Sequence, residues 1–195
     1  MELNNKKLNN NSIEYFLNAI LYCLWLYKIG RNKNLFKFMT LIISPLSHEV
    51  LSNEQSQKID KKFEESRKVH EKFVINKKNG LAITSAENLL FYAAYSYLLM
   101  IALLIWGIIM GISDNPNPLY GILCVIIAFI TYTIVAHKLL LSNKKYLKYF
   151  EIFKNESEQW HKKWNRATIL FCFGGLFSFL LGCFLMVLIA IWLTD

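Results

Sequence analysis

The chain has 195 residues, 54% of them hydrophobic, and its 22 Lys and Arg against 14 Asp and Glu give a formal net charge of +8. Such a basic excess would suggest nucleic acid in a soluble protein, but 19 of the cations are Lys and only three are Arg, the residue that forks onto bases and phosphates. Direct nucleic-acid binding is therefore not expected, and attraction to anionic membrane lipid is the simpler account of the charge.

Three runs without a charged residue, Asn88–Ser113, Asn115–Ala136 and Ala167–Thr194, decide the fold class. Each is longer than the roughly 20 residues that a helix needs to cross the hydrocarbon core. The chain reads as all-α and polytopic: three transmembrane helices, room for a fourth near the N-terminus, and a cytoplasmic helical extension, in one membrane domain over 1–195.

In chain order, residues 1–12 are an Asn-rich polar tail. Residues 13–46 admit two readings. Tyr15 to Tyr27 is apolar on all sides except at Asn18, and Glu14 and Lys28 bound it. At about 1.5 Å per residue it reaches only about 20 Å, short of a full span. Either 13–28 is a fourth span, which leaves Lys6 and Lys7 outside, or 13–46 is a helical pair at the inner face. The all-round apolar character favours the span. Residues 47–83 read as a cytoplasmic helix, capped at Ser52-x-x-Gln55 and stopped at Asn79-Gly80, with Ile59, Phe63 and Phe73 as an apolar stripe.

Thr84-x-x-Glu87 resembles a capping box and places the first membrane helix at 85–113. Asn115-Pro116-Asn117-Pro118 forces a turn, and the second membrane helix runs over 119–141. Residues 137–166 form a cytoplasmic helical hairpin that turns near Asn155, with Asn155-x-x-Glu158 opening its second arm. Tyr146, Tyr149, Phe150 and Phe153 share one face of the first arm; Trp160 and Trp164 lie one turn apart on the second. The third membrane helix is 167–193.

The hairpin link carries eight basic residues and the other fourteen precede Glu87, whereas neither Asp114–Pro118 nor Thr194-Asp195 carries any. Basic loops stay cytoplasmic, so the Asp114–Pro118 turn and the C-terminus are expected outside. The Lys and Asn bias suits AT-rich coding and a bacterial inner membrane.

Two constellations stand out. Gly107 and Gly111, four apart, and the series Gly174, Ser178 and Gly182 are small-residue seams that let helix backbones approach. They serve packing within the chain or, on the sharper reading, a homo-oligomer. The aromatic stripe of the hairpin needs a cover. It is expected to pack partly on Ile59, Phe63 and Phe73, leaving Phe153, Trp160 and Trp164 as the contact for a cytoplasmic protein partner.

The four cysteines lie in apolar runs without Cys-x-x-Cys spacing, and no His pairs at ligand spacing. No nucleophile elbow, phosphate loop or paired carboxylate is present, so no catalytic, metal or cofactor site is read. The spans hold no Asp, Glu, Lys or Arg, which argues against a self-contained ion-coupled transporter. The expectation is a non-enzymatic, multi-pass protein that binds membrane lipid, self-associates and couples to a cytoplasmic partner. An antiviral-defence or stress system would use it to act on or sense the membrane. The alternatives are an immunity or exclusion protein and an accessory transporter subunit.

Overall fold

The computed structural model describes residues 12–50, 53–77, 80–113, 115–141 and 144–194. The Asn-rich tail, Ser52, Asn79, Asp114 and Asp195 lie outside them, as does the side chain of Phe63. All regular structure among the described residues is helical. The helices are α1 Ser12–Val50, α2 Asn53–Ile75, α3 Leu81–Ile112, α4 Pro118–Ala136, α5 Lys145–Phe153 and α6 Glu158–Thr194. A five-residue π turn, His137–Leu141, prolongs α4. The chain contacts divide into two compact units, Met1–Cys23 with Leu89–Asp195, and Leu24–Asn88.

Three helices are long and apolar enough to cross a membrane: α3, α4 with its prolongation to Leu140, and α6. Ile101, Ile127, Phe173, Phe177 and Phe184 project from them, each at least half exposed. Soluble monomers rarely expose so much continuous apolar surface, and hydrocarbon is its natural solvent.

The pairings fix the helix directions. An added Cβ on Gly175 would strike Ala93, on Gly182 Met100, and on Gly111 Leu193, so positions rise together and α3 runs parallel to α6. Phe91 packs on Tyr132 at 4.8 Å, the Tyr95 hydroxyl donates to Val125 O at 3.4 Å, and Gly121 sits on Trp106, so α4 is antiparallel to α3. Three helices that crossed one sheet of lipid in succession would need this arrangement.

Local chemistry sets several boundaries. Asn117 caps α4: its Oδ1 accepts from Leu119 N–H at 3.0 Å, and Pro118 takes the first helical position, where no N–H is needed. Gly80 closes the turn after α2, its N–H donating to Asn76 O at 2.9 Å. A side chain there would collide with the carbonyls of Phe73, Val74 and Asn76, so the predicted glycine stop has a steric cause. Two predicted caps are corrected. The helix α3 begins at Leu81, and the Thr84 hydroxyl donates back to Gly80 O at 3.3 Å from inside the first turn. Ser157, not Asn155, caps α6: its Oγ accepts from Trp160 N–H at 3.2 Å.

Residues 13–46 belong to one continuous helix rather than a pair, and α1 is not among the helices long and apolar enough to span. Its all-round apolar stretch coincides with burial inside the fold. From Asn18 to Trp25 every residue is buried, none more than 6% exposed. Burial by protein on every side demands the same composition as lipid on every side. In the Leu24–Asn88 unit, Trp25 also receives the Lys77 ammonium, 5.8 Å from its ring.

Candidate functional site, an aromatic cap on the membrane helices

The face of α5 drawn from the sequence is buried as a whole. Phe150 and Phe153 are fully enclosed and Tyr146 and Tyr149 nearly so. Positions 146, 149, 150 and 153 follow the helical repeat, so one face supplies all four. Tyr15 and Tyr22 of α1 cover it. Tyr15 meets Phe153 edge-on at 5.3 Å and Tyr149 at 6.3 Å; Tyr22 meets Phe150 at 5.0 Å and Phe153 at 5.7 Å. Edge-to-face rings add about 0.5–1.5 kcal/mol per pair to the burial itself.

The second arm closes the cap. Trp160 stacks on Phe153 at 4.8 Å, and its indole N–H donates to the Tyr15 hydroxyl at 3.0 Å. Trp164 lies 5.7 Å from Tyr15 and 5.8 Å from Phe16. Phe153 therefore has no surface left for a partner, which corrects its expected role. Trp160 and Trp164 are half-buried and keep an outer edge.

A polar latch borders the rings. Glu14 pairs with Lys145 at 3.3 Å and accepts from the Tyr149 hydroxyl at 3.2 Å. Asn18, fully buried, donates from Nδ2 to Glu14 O at 2.8 Å and to Leu139 O in the π turn at 3.5 Å. Its Oδ1 is buried without a hydrogen-bond partner. The latch thus ties the start of α1 to the elbow where α4 becomes α5. At that elbow Lys144 adopts a left-handed conformation, φ 51°, which costs a residue with a Cβ about 1–2 kcal/mol.

Burial, and then the Glu14 carboxylate, push the Tyr149 phenol up to about 12. A raised folded-state value gives stability that is complete below about pH 10, where the unfolded phenol titrates, and is lost as pH climbs towards 12. Thermal unfolding in detergent should therefore weaken between pH 9 and pH 11 by more in the native chain than in Tyr149→Phe. Equal weakening in both would show that this phenol is not held by the latch. Burial also pushes the Cys23 thiol up to about 11, partly opposed by a hydrogen bond with Thr168, which suits a packing cysteine and not a nucleophile.

Each small-residue seam faces the other helix inside the chain. A Cβ on Gly107 would lie 2.8 Å from Met186 O, and one on Gly182 3.0 Å from the Met100 Cα. Gly174 faces the Tyr97 hydroxyl, which itself donates to Phe171 O at 3.0 Å. Ser178 is buried, its hydroxyl donating to Gly175 O at 2.8 Å. Holes and knobs change sides along the pair: α6 gives the glycines in its middle, and α3 gives them near its end.

Sequence reasoning missed Gly175, where a Cβ would lie 2.6 Å from Ala93 O, although the Gly174-Gly175 doublet announced it. It also missed Glu14, Tyr15, Tyr22 and Lys145, because their partners lie more than 120 positions away, beyond the reach of helical periodicity. Among the described residues no three His, Cys, Asp or Glu gather to hold a metal. Comparison with protein-family models, curated proteins and solved structures finds no match to this chain.

Proposed function

We propose that the chain is a non-enzymatic, multi-pass protein of a bacterial inner membrane that self-associates and couples the bilayer to a cytoplasmic protein partner. In this role it is the membrane-acting or membrane-sensing subunit of a defence or stress system. The observation that carries the reading is the continuity of α6. One helix, Glu158–Thr194, bears Trp160 and Trp164 of the cap at one end and the uncharged run from Ala167 at the other. A load on the cap reaches the membrane segment without passing a loop. The cap would receive it on the outer edges of Trp160 and Trp164 and on the exposed turn between α5 and α6.

The orientation proposed with it puts the cap in the cytoplasm and the Asn115–Pro118 turn outside, by the distribution of Lys and Arg. Reporter fusions check it: alkaline phosphatase should be active when joined at Pro116 and silent at Asn155. Activity at Asn155 would reverse the scheme.

The functional reading is tested with a potential-sensitive dye during overexpression. The native chain should depolarise cells, and Trp160→Ala, which cuts the bond to Tyr15, should abolish the effect while the protein still inserts. Cells that stay fully polarised at high expression of the native chain would exclude the membrane-acting role.

A further inference from the structure

A cleft of about 300 Å³ opens between α1, α3, α4 and α6. Leu17 of α1, Leu90, Ala94 and Tyr97 of α3, Val135 of α4 and Phe171 of α6 form its wall. Tyr97 has already given its hydroxyl proton to Phe171 O. A cavity at the lower end of ligand-site volumes, with an apolar wall, suits a slender hydrocarbon and rejects a nucleotide, a sugar or a peptide.

Its depth in the fold points to the source of that hydrocarbon. The wall uses the first half of α3 and the last two turns of α4. Just beyond it the sequence becomes cationic: Lys138 follows Val135 by three residues, about one turn along the same side. At the rim, Ile13 adjoins Glu14, and Glu14 holds Lys145. From 137 to 166 there are eight Lys and Arg and three Glu, an excess of five cations (8 − 3). Apolar depth below and positive charge above match a single-tailed view of an anionic phospholipid.

We propose that this cleft is a specific lipid site. It holds one acyl chain of an anionic phospholipid from the leaflet on the cap side, and the basic residues beyond the rim, Lys138 first, hold the headgroup. The proposal uses the reading of α3, α4 and α6 as membrane spans and is independent of any protein partner.

The test titrates the detergent-purified chain with dioleoylphosphatidylglycerol or dioleoylphosphatidylcholine and counts bound lipid by native mass spectrometry. One phosphatidylglycerol per chain should be retained, preferred over phosphatidylcholine by about fivefold, the selectivity that one nearby cation supplies. Ala94→Phe fills the cleft and should reduce retention severalfold with the protein still monodisperse. Should that variant misfold, Val135→Trp at the rim takes its place and is read in the same way. Lys138→Gln should keep lipid bound but erase most of the preference, whereas Arg166→Gln, on the outer face of α6, should leave it unchanged. Equal retention of both lipids by the native chain and the filled variant means annular lipid only and overturns the proposal. Absence of retained lipid on the native chain overturns it too. A failure of the membrane reading would show instead in the reporter fusions.

Discussion

Phe153→Ala is expected to loosen the aromatic cap by about 3–5 kcal/mol, the usual cost of emptying a fully buried aromatic site. Phe153 is completely enclosed and touches Tyr15, Tyr22, Tyr149 and Trp160. None of these neighbours is free to fall into the hole. Trp160 is bonded to Tyr15, and Tyr149 to Glu14. The cavity therefore persists, which is the condition for the upper part of that range. Cys23 provides the readout, because it is 2% exposed and its thiol is pushed up to about 11. With Cys124, Cys172 and Cys183 replaced by Ala, maleimide should label Cys23 very slowly at neutral pH. Phe153→Ala should speed the labelling by about 100-fold or more, the factor that 3 kcal/mol commands when labelling follows opening. Phe153→Leu should fall between. An unchanged rate would mean that Phe153 does not hold the cap closed.

The parts of the fold legible in the sequence were those written in local patterns. Uncharged length marked α3, α4 and α6, and a spacing of three and four marked the buried face of α5. Glycine spacing marked the close approach of α3 to α6. What periodicity does not carry is the identity of the partner face. Tyr15 and Phe153 are 138 positions apart, and nothing in either segment names the other. The apolar stretch before Lys28 is the clearest case. Lipid and a protein core ask for the same residues, so composition could not separate a span from a buried helix. Only Asn18 and its placement in the fold discriminate. A lone amide facing hydrocarbon would waste its bonds, whereas here its Nδ2 binds Glu14 O and the π turn. Capping boxes misled for a related reason. Thr84-x-x-Glu87 has the right letters, but the chain was already helical at Leu81, so the hydroxyl turned back to Gly80 O.

Gly175→Ile and Gly107→Ile should each cost about 3 kcal/mol and remove most of the folded protein. The obstacle in both cases is backbone: Ala93 O lies 2.6 Å from the Cβ that Gly175 would gain, and Met186 O lies 2.8 Å from that of Gly107. A side chain can rotate away from such a contact, but a helix backbone has to move as a body, and α3 and α6 meet at several such points along their length. Gly111→Ala meets the Leu193 side chain near the end of α6 and should cost less. Gly30, with nothing within 4 Å, is the control: Gly30→Ala should be neutral or gain up to about 1 kcal/mol from helix propensity. Yield of monodisperse protein and thermal unfolding in detergent measure all four. The same series separates the two uses of the seam. Packing inside one chain predicts loss of folded yield at every oligomer size, because the chain itself cannot close. A seam between subunits predicts normal yield with a lower oligomer mass. If Gly107→Ile and Gly175→Ile fold as well as the native chain, the contact between α3 and α6 does not stabilise the fold, and the small residues serve an intermolecular contact or none.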